Sequence, residues 1–306
     1  MIWIVLAFIS AALLGLYDVS KKQALKGNAV IPVLMLNTLF SSIIFLPFIL
    51  LSSRGVFTTD SPLYCTDYNW EEQKYILVKS CIVLASWLLA YFGLKHLPLT
   101  IVGPINATRP VMVLVGAMTL FAERLNLWQW LGVIVALVGI ELLKHTSKKE
   151  GINWWKDKWI YFIILSNILG AISGLYDKYL MATPENGGVG LNKMAVQSWY
   201  NIYQLGMMTV MLLLLWLPTR KRTTPFHWTW SIPLVSLFLC MADFVYFYAL
   251  GMDGAMISIV SMVRRGSVIV SFLCGALIFH EKNLRAKALD LALVILSMLL
   301  LYMGSE

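Results

Sequence analysis

Three arginines stand inside stretches of sequence that are otherwise strongly apolar: Arg109, Arg264 and Arg265. Each lies about ten residues into its segment, near mid-depth if that segment spans a bilayer of roughly twenty residues. An ionisable side chain at that depth costs at least about 2.5–3.5 kcal/mol on insertion scales, so it faces a cavity or a partner. A guanidinium is a planar fork that pairs bidentately with carboxylate or phosphate. Arg109 and Arg265 therefore read as the two arms of an anion clamp, with Arg264 as a third candidate. Adjacent helical residues point about 100° apart, so Arg264 and Arg265 do not share one target. The competing reading is that these arginines neutralise Asp18, Asp177 or Asp243 and lock helices together.

Tyr17-Asp18 and Tyr176-Asp177-Lys178 form a second constellation. Phenols there can donate hydrogen bonds to a substrate, and a carboxylate can change its protonation during transport. A structural ion pair between the aspartates and Lys22, Lys178 or an arginine is the alternative. Asp243, alone in its segment, suits an arginine partner. Asn37 and Asn201, the latter flanked by Gln197 and Gln204, supply polar groups that either orient a substrate or hydrogen-bond between helices at about 0.6–2 kcal/mol per bond. No catalytic constellation is present: the Gly187–Gly190 run lacks the Lys-Ser/Thr of a phosphate loop, and no HExxH or GxSxG occurs. The four scattered cysteines form no metal-ligand spacing, so no metal and no cofactor is expected.

The elements that carry these residues follow from composition. Of 306 residues 59% are hydrophobic and 13% charged, whereas soluble chains average about 45–50% and about 25%. That excludes an ordinary soluble enzyme. The net charge of +8 belongs to loops at the membrane surface, and no nucleic-acid partner is expected. Ten apolar segments can be drawn, each near the length a span requires: 2–25, 30–52, 75–96, 98–121, 126–145, 159–182, 193–217, 231–251, 255–279 and 284–304.

The segments repeat. Gly15-Leu16-Tyr17-Asp18 recurs as Gly174-Leu175-Tyr176-Asp177, Phe121-Ala122-Glu123 as Phe279-His280-Glu281, and Arg109 is matched by Arg265. The chain is expected to be an all-α integral membrane protein of ten transmembrane helices, built as two five-helix repeats over 1–150 and 151–306. An odd number of helices per repeat inverts the second relative to the first, a common transporter design. Glu123 and Glu281 are expected to cap the helices that follow them. Gly132 and Gly139 form a small-residue seam for close packing, which also leaves a homodimer open.

Arg109-Pro110 followed by Gly116 and Phe121-Ala122-Glu123-Arg124-Leu125, with Lys22 seven residues after Gly15, resembles EamA-type members of the drug/metabolite transporter superfamily. The resemblance covers essentially the whole chain. It departs from the family's pattern near Gly15, where Trp-Gly-Ser is common, and at Arg109-Pro110, where Glu-Pro is common. It implies a transporter and no enzyme.

Sorting the remaining Lys and Arg by side places fifteen beyond helices one, three, five, seven and nine, and five on the other side (Arg54, Lys74, Lys79, Arg124, Lys193). By the positive-inside rule the first set is cytoplasmic and both termini are outside. The family resemblance implies the reverse, and the charge count is preferred. The sequence thus reads as a secondary transporter in a bacterial inner membrane, moving a small polar anionic metabolite of the amino-acid, organic-acid or sugar-phosphate class by alternating access, with lipids as its other partners. A lipid-phosphate-handling membrane protein and a structural membrane protein without flux stay as alternatives.

Overall fold

The fold is seen in a computed structural model that describes residues 2–59, 61–109, 111–112, 126–148, 155–181, 184–250, 263–280 and 284–304. Helices dominate because a backbone in hydrocarbon must satisfy its own amides. They are α1 (Ile2–Leu25), α2 (Val30–Ser53), α3 (Trp70–His96), α4 (Leu99–Ala107), α5 (Leu127–Lys148), α6 (Lys158–Met181), α7 (Lys193–Met211), α8 (Ser231–Leu250), α9 (Ser267–Ile278) and α10 (Leu284–Met303). α7 continues through a π-turn at Leu212–Trp216 into a last helical turn, Leu217–Thr219. Pro218 lacks the amide that would bond back by four, which suits a local change of winding.

Among the described residues, α1, α2, α3, α6 over Lys158–Asp177 and α7 with its continuation to Thr219 are long and apolar enough to cross a membrane. α5 and α8 are apolar over the shorter stretches Leu127–Leu143 and Ser231–Tyr246. The surface is inverted relative to a soluble protein. Phe8, Ile9, Ile43, Leu46, Ile134 and Leu214 are exposed, while Ser10, Asn37, Thr38, Ser41, Asn167 and Gln204 are fully buried. Such a surface suits lipid outside and polar packing inside.

The starts of α5 and α7 carry side-chain caps. Asn126 and Gln129 exchange bonds, Gln129 N–H to Asn126 Oδ1 and Asn126 N–H to Gln129 Oε1, each at 3.0 Å, a capping box for α5. Asn192 Oδ1 accepts from Ala195 N–H at 3.0 Å and caps α7. Glu123 and Glu281, expected as caps, lie outside the described residues.

α1 packs along α8 and α3 along α6, α2 along α7, α4 along α9, and α5 along α10. α1 also meets α9, and α4 meets α6. Small residues set these seams. Ser10 donates to the Ala242 carbonyl at 2.7 Å between α1 and α8, and Ser86 donates to the Ser166 carbonyl at 2.8 Å between α3 and α6. Gly139 faces Leu293 and Val294 of α10, so this part of the α5 seam is filled within the chain.

Alternate turns gather at opposite ends. Asn28, after α1, exchanges bonds with His227, after α7, at 2.7 and 3.0 Å. Lys95 at the end of α3 reaches Thr224 at 2.9 Å, and His96 stacks on Trp159 at the start of α6. At the other end Tyr68, before α3, accepts from Asn192 N–H, before α7, at 2.6 Å. Cys65 lies buried in this segment, where burial and, secondarily, Asp67 push its thiol up to about 11.

Candidate functional site

The segments drawn at 98–121 and 255–279 both differ from continuous helices. α4 is interrupted at Thr108, immediately before Arg109, and the helical turn Val263–Arg265 is separated from α9 by Gly266, immediately after Arg265. Thr108 N–H bonds back by three to the Ile105 carbonyl at 3.2 Å, and Gly266 N–H to the Val263 carbonyl at 2.9 Å. Pro110 has no amide to continue the regular ladder past Arg109. Two matched arginines thus sit at two matched breaks, and the rest of each segment lies outside the described residues.

Arg109 is held by α6. Its Nε and Nη2 donate to Asn167 Oδ1 at 3.4 and 3.2 Å, while Asn167 Nδ2 donates to the Ile105 carbonyl at 3.1 Å. One amide therefore spans the break in α4. Gly170, one turn on, forms the floor beneath the guanidinium: a Cβ there would stand 2.6 Å from Arg109 Cζ. Sequence reasoning missed both residues, since an asparagine and a glycine in an apolar helix carry no signal until another helix approaches them.

Arg264 turns the other way. It forms an ion pair with Asp243 of α8, and its Cζ lies 4.3 Å from the Tyr246 ring centroid. Gln197 of α7 approaches the other Asp243 oxygen at 3.4 Å and Tyr200 Oη at 3.2 Å. Arg265 keeps an exposed side chain, within Coulombic reach of Arg109, Arg264 and Tyr246. No carboxylate among the described residues pairs with Arg109 or Arg265.

The tyrosine-aspartate pairs differ from one another. Asp18 lies 2.8 Å from Lys21 and accepts from Ser271 Oγ of α9 at 3.3 Å. Lys21 covers the buried Tyr17 ring at 4.2 Å and approaches Tyr91 at 5.5 Å. Tyr17 is within Coulombic reach of Asp18, Asp243 and Arg109, which puts it at the arginine cluster. Asp177 pairs with Lys79 of α3, whose ammonium lies 5.3 Å from the Tyr200 ring. Tyr176 donates to the Tyr75 carbonyl at 3.3 Å, toward the end of α6, and is not brought to the arginines. The Lys178 side chain lies outside the described residues.

Asn37 and Asn201 serve the seams. Asn37 Oδ1 accepts from Ser236 of α8 at 2.7 Å, and its buried Nδ2 has no partner among the described residues. Asn201 Nδ2 bonds back to the Gln197 carbonyl at 2.8 Å, and its own carbonyl accepts from Ser42 of α2 at 3.0 Å. Lys21, Lys79 and Lys287, which the sequence sorts with loop charges, are all buried. Lys287 bonds Thr100 Oγ1 at 2.8 Å, and Lys22 donates to the Leu94 carbonyl at 2.6 Å and to that of Leu97. Among the described residues no His, Cys, Asp and Glu cluster is arranged to hold a metal ion.

A protein known from a crystal structure superposes over 97% of this chain and 97% of its own, with a TM-score of 0.58 and 13% identity, a likeness of fold alone. No curated protein matches the chain in sequence. The protein is an integral membrane protein, and its residues 1–144 match the model of the EamA-like transporter family, which lies within the drug/metabolite transporter superfamily.

Proposed function

We propose that the protein is a secondary transporter that moves a small polar anion across a bacterial inner membrane by alternating access. The substrate belongs to the amino-acid, organic-acid or sugar-phosphate class. The two halves, 1–150 and 151–306, are inverted five-helix repeats of ten crossings in all. In support, helix partners exchange under a shift of five: α1 with α8 answers α6 with α3, and α1 with α9 answers α6 with α4. The turns after α1, α3 and α7 sit at one end, and the charge count makes that end cytoplasmic. A phosphatase fused to the C-terminus is then active outside the cell.

One observation carries the substrate reading. Arg109 from one half and Arg265 from the other lie within Coulombic reach, each beside a helix break, and Arg265 retains open surface. Broken helices frame substrate sites in carriers because their ends and freed backbone groups meet the ligand at mid-depth. Tyr17 is close enough to orient the bound anion, with Asp18, Asp177 and Asp243 holding the surrounding cations. Tyr176, Asn37 and Asn201 act through the helix seams they join.

The test is counterflow in proteoliposomes loaded with amino acids, organic acids and sugar phosphates, with Arg265→Ala beside the wild type. Anion accumulation that the variant loses is expected. Exclusive transport of neutral or cationic solutes, or an Arg265→Ala protein that carries anions normally, overturns the clamp.

A further inference from the structure

We infer that the segment 220–230, between α7 and α8, is a docking surface for the head group of an anionic phospholipid, with Arg220, Lys221 and Arg222 as its phosphate-binding side chains. The inference needs only that the protein lies in a membrane, and it holds whatever the substrate is.

The surface begins where the lipid-facing side of α7 ends. Leu213, Leu214, Leu215 and Leu217 are exposed, as side chains against acyl chains are. The backbone of Arg220 is still helical, at φ −53° and ψ −32°, so Arg220 stands one turn beyond Leu217 on the same side. Arg220, Lys221 and Arg222 are all exposed. A lipid whose tail lies along these leucines therefore brings its phosphate to the level of the three cations. Trp228 and Trp230 mark the same level. Both are exposed, their rings meet edge to face at 6.2 Å, and tryptophans of this kind settle at head-group depth.

Ordered backbone presents the cations. The Thr219 carbonyl accepts from Arg222 N–H at 2.8 Å and Thr223 N–H at 3.1 Å, which closes the turn that carries them. Lys95 of α3 then holds Thr224 at 2.9 Å, and Asn28 accepts from His227 N–H at 3.0 Å. Lys26, exposed beside Asn28, adds to the charge. Lys156 and Lys158 are exposed at the same end and flank Asp157, whose carboxylate accepts from Trp159 N–H at 2.9 Å. Three successive like charges repel one another, and no ion pair among the described residues takes up Arg220, Lys221 or Arg222. A phosphodiester relieves that repulsion by accepting from the guanidinium forks and the ammonium. An anionic leaflet attracts basic residues beside a span by the same force.

The test is native mass spectrometry of the full chain in neutral detergent, titrated with phosphatidylglycerol and with phosphatidylcholine of identical tails. The wild type is expected to prefer phosphatidylglycerol by about tenfold to a hundredfold, at about fivefold for each cation engaged. Arg220→Gln, Lys221→Gln and Arg222→Gln together are expected to erase that preference, and Arg222→Lys to keep most of it. Lys156→Gln with Lys158→Gln, at the same end but off the segment, is expected to keep all of it. Equal binding of the two lipids by the wild type overturns the inference and needs no variant. A preference that survives the triple replacement also overturns it. So does one that the Lys156 and Lys158 replacements erase equally, since the whole end would then attract lipid. Displacement of the lipid by millimolar inorganic phosphate overturns it as well, because the surface would then hold a free anion.

Discussion

Asn167 of α6 touches Arg109 through its carbonyl oxygen and the backbone just before Arg109 through its amide nitrogen. The Ile105 carbonyl, which a continuous helix would give to residue 109, instead accepts from Thr108 N–H, Thr108 Oγ1 and Asn167. A side chain on one helix thus stands in for the hydrogen bond that the neighbouring helix lacks. The same side chain fixes the direction of the guanidinium.

Asn167→Ala and Gly170→Ala should therefore act on Arg109 by different routes. The first removes an acceptor from a charged donor, worth about 1.5–3 kcal/mol, and should reduce anion transport by roughly tenfold to a hundredfold. The second places a methyl where Arg109 Cζ now lies, and the flexible guanidinium yields more readily than the helix. Gly170→Ala should keep its thermal unfolding temperature in detergent while weakening apparent affinity in counterflow. Normal affinity in both variants would detach Arg109 from the substrate.

The Asp243–Arg264 pair joins α8 to the turn before α9, with both side chains largely out of solvent. Breaking such a pair from one side leaves an uncompensated charge and costs about 3–5 kcal/mol. Asp243→Asn should lower the unfolding temperature, measured by intrinsic tryptophan fluorescence. Replacing both partners, Asp243→Leu with Arg264→Met, should recover most of the loss. A single variant as stable as wild type would assign the pair no structural weight.

Cys65 supplies a pH-dependent readout outside the spans. The thiolate is the form that reacts with maleimides. Because the folded thiol is pushed up to about 11, chiefly by burial, its labelling rate should climb about tenfold per pH unit from pH 7 to 9. The unfolded chain should level off sooner, as its thiol titrates near about 8.5. The sign for stability follows from tighter proton binding in the fold. This contribution is present below the ordinary thiol range and is lost as pH rises toward about 11. Peptide mass spectrometry of Cys65 after timed labelling checks both curves.

Much of this architecture is legible because lipid makes sequence simple. Charge-free runs give helices, and the recurrence of Gly-Leu-Tyr-Asp pairs Tyr17 with Tyr176. Arg109 and Arg265 stand out because ionisable groups inside a span are rare and need a reason. The sequence does not reveal that Tyr17 lies at the arginines while Tyr176 bonds a helix end, since repetition in sequence does not require equal surroundings in one conformation. Lys21 and Lys79 look like loop charges near segment ends, yet the helices carry them inward to Asp18 and Asp177. Gly170 and Asn167 gain meaning only from the approach of Arg109.

That no carboxylate among the described residues forms an ion pair with Arg109 or Arg265 also bears on the return half of a transport cycle. An empty carrier must close around its site before reopening on the other side. Closing around guanidiniums without such a pair withdraws charge from water at a cost, whereas a bound anion offsets it. The loaded form should therefore pass the sealed intermediate faster than the empty one. Efflux of a preloaded anion should be slow into plain buffer and quicken several-fold when the same anion is supplied outside. Equal rates under both conditions would show that the empty carrier returns freely. The fixed cations would then set the protein's kinetic mode as an exchanger, through what they forbid when nothing is bound.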